Sequence, residues 1–135
     1  MEAALHASIT ALLQADPAVA ARLGDPLRLA DRPRPGLATP YAWWSGARSE
    51  EERAGAVRLL THRVSLNVYS RQPGGEEVRE VLNAMREALV GARPDPGPGW
   101  RLVSFAPVLT DVLTLPEIGA LRGLLRLRAV LEASP

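Results

Sequence analysis

The sequence predicts an α+β fold, with helices covering one face of a mainly antiparallel sheet of about four to five strands. Three observations predict it. From Arg58 to Ser70, the residues Leu60, His62, Val64, Leu66 and Val68 alternate with Thr61, Arg63, Ser65, Asn67 and Tyr69. That period of two is the signature of a strand with one apolar face. From Glu76 to Val90, the residues Val78, Val81, Leu82, Met85 and Leu89 recur at helical spacing and form a single stripe. Finally, the elements read in the order helix, helix, strands, helix, two strands, which places helices against one face of a mainly antiparallel sheet.

Glu2 to Gln14 is rich in alanine and leucine, and Leu5, Ile9, Leu12 and Leu13 fall on one helical face. Asp16 followed by Pro17 is a favourable helix start, an acidic cap before a proline whose missing N–H costs nothing there. Ala18 to Leu23 then reads as a second helix, closed by Gly24 in the left-handed cap role. Residues 25–40 hold four prolines and one glycine and read as an extended connection, with Leu27 to Ala30 its one short strand. Tyr41 to Ser45 has the aromatic content of a strand. Gly46 to Gly55, with Glu50, Glu51 and Glu52, reads as an exposed loop or short helical turn.

Gln72 to Gly75 breaks the central strand. Burying each apolar residue of the Glu76–Val90 helix is worth about 1.5–3 kcal/mol, so that face contributes on the order of 10 kcal/mol before entropy. Glu76, Glu77 and Glu80 suit its positive end and Gly91 its stop. Residues 92–99, ARPDPGPG, form a loop. Trp100 to Ala106 and Pro107 to Leu115 read as one long strand with a bulge or bend marked by the proline. Pro116 to Gly119 is a turn. Leu121 to Leu131 reads as a strand, because Arg122, Arg126 and Arg128 share one parity while Leu121, Leu125, Leu127 and Leu131 share the other.

A length of 135 residues fits one domain over residues 1–135. The 16 basic and 15 acidic residues leave a net charge of +1, which does not mark a general nucleic-acid binder. All the basic residues are arginine. With no cysteine, the fold rests on no disulfide and carries no thiol nucleophile or zinc thiolate. No stretch approaches the roughly 20 apolar residues that span a bilayer, and the acidic start MEAALHASIT lacks a signal peptide's positive charge. The chain reads as cytoplasmic, soluble and non-catalytic, with no cofactor.

No phosphate loop is present, since Gly74-Gly75 and Gly97-Pro98-Gly99 lack both the spacing and the lysine. Ser8, Ser45, Ser49 and Ser65 stand in no nucleophile-elbow sequence and have no motif-linked histidine. His6 and His62 show no metal-ligand spacing. His62 reads either as a general base in a cleft or, preferably, as a histidine near the end of the sheet with a backbone partner. The three consecutive glutamates diverge instead of converging on a cation as a calcium loop requires.

Two features point to contacts. Adjacent residues on a strand face opposite ways, so of Trp43 and Trp44 one packs under a helix and the other turns outward. An outward tryptophan is a candidate protein-contact residue, and a covering loop or the N-terminal helix is the equal alternative. Arg122, Arg126 and Arg128 form a row on one sheet face. They read as a solvated face paired with acids such as Asp111, or as a basic surface facing a polyanion or an acidic partner.

Taken in order, several segments resemble the family of phage tail-completion proteins, also called tail-to-head joining or tail-terminator proteins. They are the opening MEAALHASITALLQADPAVAARLGD, the extended Pro40-Tyr41-Ala42, and the central strand His62 to Arg71 ending in aromatic, serine and arginine. The amphipathic helix follows, and then the closing strand Leu121 to Ala129, where Gly123 precedes alternating leucine and arginine. The acidic segment Ser49–Gly55 and the turn Leu115–Gly119 depart from the family's pattern.

The resemblance implies a small α+β subunit of a virion, assembled in the bacterial cytoplasm and located in the tail or neck. It further implies a homo-oligomeric ring, commonly of six copies, that caps the tail tube and joins it to the head connector or stopper. Genomic DNA would pass through the ring without sequence-specific binding, and the family has no catalytic residues to carry over. In that setting Arg122, Arg126 and Arg128 face the lumen or a neighbouring subunit, in an infectious phage, a prophage or a gene-transfer particle. Alternatives are a head-closure or other neck protein and, from another class, a cellular α+β binding module using its basic sheet face.

Overall fold

The computed structural model describes residues 1–134, apart from the side chain of Glu117. The first helix, α1 (Glu2–Ala15), buries Leu5, Ile9 and Leu13, while Leu12 at the edge of the stripe is half-buried. Asp16 ends it and starts α2 (Pro17–Leu23), its carboxylate accepting from the Ala18 and Val19 N–H groups at 2.9 and 3.0 Å. Gly24 closes α2 at φ 88°, ψ 170°, outside the left-handed helical region expected of it. The Gln14 side chain ties the next connection down, donating to Asp25 and accepting from the Leu27 N–H.

Five strands follow in one sheet: β1 (Leu29–Ala30), β2 (Tyr41–Ala54), β3 (Val57–Ser70), β4 (Trp100–Leu115) and β5 (Ala120–Ala133). Their spatial order is β1-β2-β3-β5-β4, and only the short β1–β2 pair is parallel. The amphipathic helix α3 (Glu76–Leu89) lies on β3, β5 and β4, and α1 and α2 pack beside it. All five apolar residues of its stripe are buried, against Val64, Leu66, Leu125 and Leu127 among others. The fold is therefore α+β, with a mainly antiparallel sheet and helices on one face.

β4 runs unbroken at the sheet edge, with register shifts at Leu102/Ser104 and at Pro107/Leu109. Proline is tolerated at Pro107 because an edge strand has ladder positions that need no N–H. Gly123 on β5 meets α3 so closely that a Cβ there would stand 2.7 Å from Val78 Cγ2 and 2.9 Å from Leu82 Cδ1. The missing side chain is what lets the helix settle onto the strand.

The structure corrects the reading of the acidic segment. Gly46 to Gly55 is not a loop or helical turn, because β2 continues through the acidic run to Ala54. Pairing with β3 outweighs the poor strand propensity of glutamate. Glu51 pairs with Arg58 across the hairpin, Glu50 pairs with Arg48 at 2.9 Å, and Arg63 lies 3.8 Å from Glu50. The turn is the two residues Gly55-Ala56, with Gly55 at φ 65°, the positive φ that a type II′ hairpin turn needs at its first position.

The polar face of β3 is partly covered. Ser65 and Asn67 are buried. At one end of this outer face the connection 31–40 folds back over the sheet. There Ala30, Tyr41 and Trp43 form a second small apolar cluster, flanked by Leu37 and Tyr69.

Candidate functional site

The outer face of the sheet gathers most of the residues singled out by the sequence. Strand register sets their neighbours: Arg122 stands opposite Tyr69 and Leu113, Arg126 opposite Ser65 and Leu109, and Arg128 opposite Arg63 and Ala106. Arg48 lies one strand further on, opposite Arg63. The row is divided in its environment. Arg126 and Arg128 are exposed, and among the described residues neither makes an ion pair within 4 Å.

Arg122 is half-buried instead. Its Nε and Nη2 both donate to Asn67 Oδ1, at 2.9 and 2.6 Å, and its guanidinium lies 5.9 Å from the centre of the Trp43 ring. The Asn67 amide nitrogen donates to Ser45 Oγ at 2.5 Å, so both ends of this buried amide are satisfied. Asp111 pairs with none of the three arginines and accepts from the Val112 N–H instead.

Trp43 and Trp44 do face opposite ways. Trp43 lies on the outer face, 8% exposed beneath the 31–40 connection and against Tyr41 at a ring separation of 5.6 Å. Trp44 lies on the helix side, half-buried, with its ring stacked on His6 of α1 at 4.4 Å and 7° between planes.

The same contact leads into a cluster that sequence reasoning missed. His6 Nε2 lies 3.0 Å from His62 Nε2, and Ser49 Oγ lies 2.8 Å from His62 Nδ1. His62, 1% exposed, therefore has two side-chain partners where a backbone partner was expected. Burial pushes the His62 pKa down, and the charge His6 would carry adds to this while Glu2 opposes it. Burial likewise pushes His6 down, again opposed by Glu2. Both shifts favour the neutral rings, a state in which one Nε2 can donate to the other.

A serine beside an imidazole is the beginning of a nucleophile dyad. Here the far nitrogen of the ring meets a second imidazole where a carboxylate would stabilise an imidazolium, and burial weakens the ring as a base. The arrangement acts as a clasp that ties α1 to β3 and to the exposed Ser49 of β2. Its one sequence signal is His62 occupying an apolar-parity position. Its partners lie 56 and 13 residues away. Among the described residues, no group of three or more histidines, aspartates or glutamates is placed to hold a metal.

Comparison with known proteins agrees with the architecture. The chain superposes on a chain from the virion of a native gene transfer agent particle with a TM-score of 0.84 and 25% identity. That match covers 98% of this chain and 97% of the other. No curated protein matches. The profile of tail completion protein gp17 matches residues 7–132, from the middle of α1 to the end of β5. With α2, α3, nearly all of the sheet and the arginine-bearing face inside that span, the chain belongs to the tail completion protein gp17 family.

Proposed function

We infer that the chain serves as a structural tail protein of a phage or gene-transfer particle, a reading that its family and its structural match support. We propose that the whole of residues 1–135 acts as one tail-terminator domain, whose copies close into a ring of six. The ring caps the tail tube, ends its growth and joins it to the head connector or stopper, and DNA passes through its centre. The observation that carries this reading is the uncovered sheet face, where Arg126 and Arg128 stand exposed with no acidic partner among the described residues. Facing the lumen, they meet phosphates without reading bases.

Two long sheet edges support assembly. Among the described residues, β2 beyond Trp43 has no neighbour on its outer side and β4 is an edge along its whole length. β4 also exposes Val103, Val108, Leu109 and Leu113. Unlike edges suit a heterologous contact, which closes into a ring when the rotation divides a circle. In this reading Trp44, half-buried on the open part of β2, stands at a subunit contact.

Electron microscopy of particles from a strain lacking the gene tests the proposal. Filled heads lying apart from tails, with tails of irregular length, are expected. Normal, fully joined particles would overturn it, and filled heads apart from tails of uniform length would move the protein to head closure.

A further inference from the structure

The end of the outer face nearest the 31–40 connection holds a cavity of about 720 Å³. This lies within the roughly 300–1,000 Å³ range of sites that enclose a ligand or an anchoring side chain. Its floor is Tyr41, Trp43 and Tyr69, and Pro33 and Pro35 line it from the connection. Among the described residues, Arg71 and Arg122 are the charged ones that line it. Arg32 and Arg34 alternate with those prolines and are exposed. None of these four arginines makes an ion pair within 4 Å among the described residues.

We propose that this cavity is a docking site for an acidic peptide segment of another protein of the particle, with an apolar side chain seated on the aromatic floor and a carboxylate held by Arg71 and Arg122. The proposal rests on the assignment to a virion and is independent of the ring.

Charge selects the occupant. A concave aromatic surface rimmed by guanidiniums that have no acidic partner among the described residues favours a carboxylate, which arginine binds in a planar, bidentate fashion. Arg122 is already oriented for this, because Asn67 fixes its Nε and Nη2. A nucleic-acid strand suits the site less well. Bases stack on open ring faces, whereas the Trp43 ring already carries Arg122.

A second copy of this chain suits it less well too. The one run of acids, Glu50–Glu52, is locked in a paired hairpin, with Glu50 and Glu51 already in ion pairs. Glu76 and Glu77 lie in the first turn of α3.

The test is fluorescence anisotropy of the full chain with a labelled decapeptide in which glutamates flank a central Leu-Pro-Phe. A counterpart with lysine for glutamate and a dT10 oligonucleotide are run beside it. Saturable binding of the acidic peptide is expected, on the order of tenfold tighter than the lysine form and weakened by salt. Arg71→Glu should weaken it by a similar factor, whereas Arg53→Glu, the same charge change on the distant hairpin, should leave it within about twofold. Equal binding of the two peptides, equal loss in the two variants, or no binding would overturn the proposal. Competition by dT10 at matching affinity would assign the cavity to a nucleic-acid strand and overturn it as well. The deletion phenotype is scored on particles, so failure here leaves the ring reading standing.

Discussion

On β3, Asn67 and His62 face opposite sides of the sheet, and each is a buried polar group that holds another element in place. Asn67 fixes Arg122, and His62 fixes α1 through His6. The clasp makes stability depend on pH with a definite sign. Both imidazole pKa values are pushed below their ordinary value in the folded chain. As pH falls through about 6.5, the unfolded state takes up protons that the folded state refuses, so stability drops. The stabilisation is complete above that value and is lost progressively toward the lower folded-state values. Thermal melts from about pH 7.5 to pH 5 should show this fall, and His6→Gln should make it shallower. A His6→Gln slope equal to the parent's would show that the pair does not titrate this way. None of this was legible beforehand, because a hydrogen bond between residues 56 apart leaves no trace in local spacing. The parity of His62 was legible and placed it correctly on the helix-covered face.

Patterning on the scale of elements was read well where burial imposes a period and badly where long-range pairing decides. The β3 alternation and the α3 stripe each report a buried face, and β5 was separated from a helix only by the parity of its leucines and arginines. The outer half of β2 has no such period: all its residues from Gly46 to Ala54 are exposed, and only its partner strand makes it extended. Gly123 sits where two correctly read elements meet. Gly123→Ala places a Cβ inside the reach of Val78 and Leu82, so α3 must shift, at a cost of about 1–3 kcal/mol in urea unfolding. Val78→Ala removes the nearest clashing methyl. The double variant should therefore be less destabilised than the sum of the two single changes, as residues in contact are not additive. Simple additivity would mean that the strand–helix approach is not the constraint.

The same sheet offers the whole molecule two surfaces, one sealed by α1, α2 and α3 and one left mostly open, and the arginine row divides between structure and surface on the open side. Parity placed Arg122, Arg126 and Arg128 together, but it did not reveal that the first is tied to Asn67 while the other two are free of such ties. That division separates the fold-holding Arg122 from the two arginines proposed to act in the particle. Arg126 and Arg128 are one strand repeat apart, roughly 7 Å along β5. Repeated around a ring, they would line a lumen with positive charge that attracts the DNA backbone without sequence preference. Arg126→Glu with Arg128→Glu should leave the melting temperature almost unchanged, since among the described residues neither holds an ion-pair partner that must be replaced. Particles carrying the double change should assemble and join, yet deliver DNA less well, on the order of tenfold or more, because like charges then line the path. Arg122→Glu should behave in the opposite order, losing stability first through the unpaired Asn67 amide. Unchanged delivery by a stable Arg126→Glu/Arg128→Glu particle would take these arginines out of the lumen. A melting temperature that falls as far as that of Arg122→Glu would instead make them part of the fold, and the open face would lose its claim to be the DNA-facing surface.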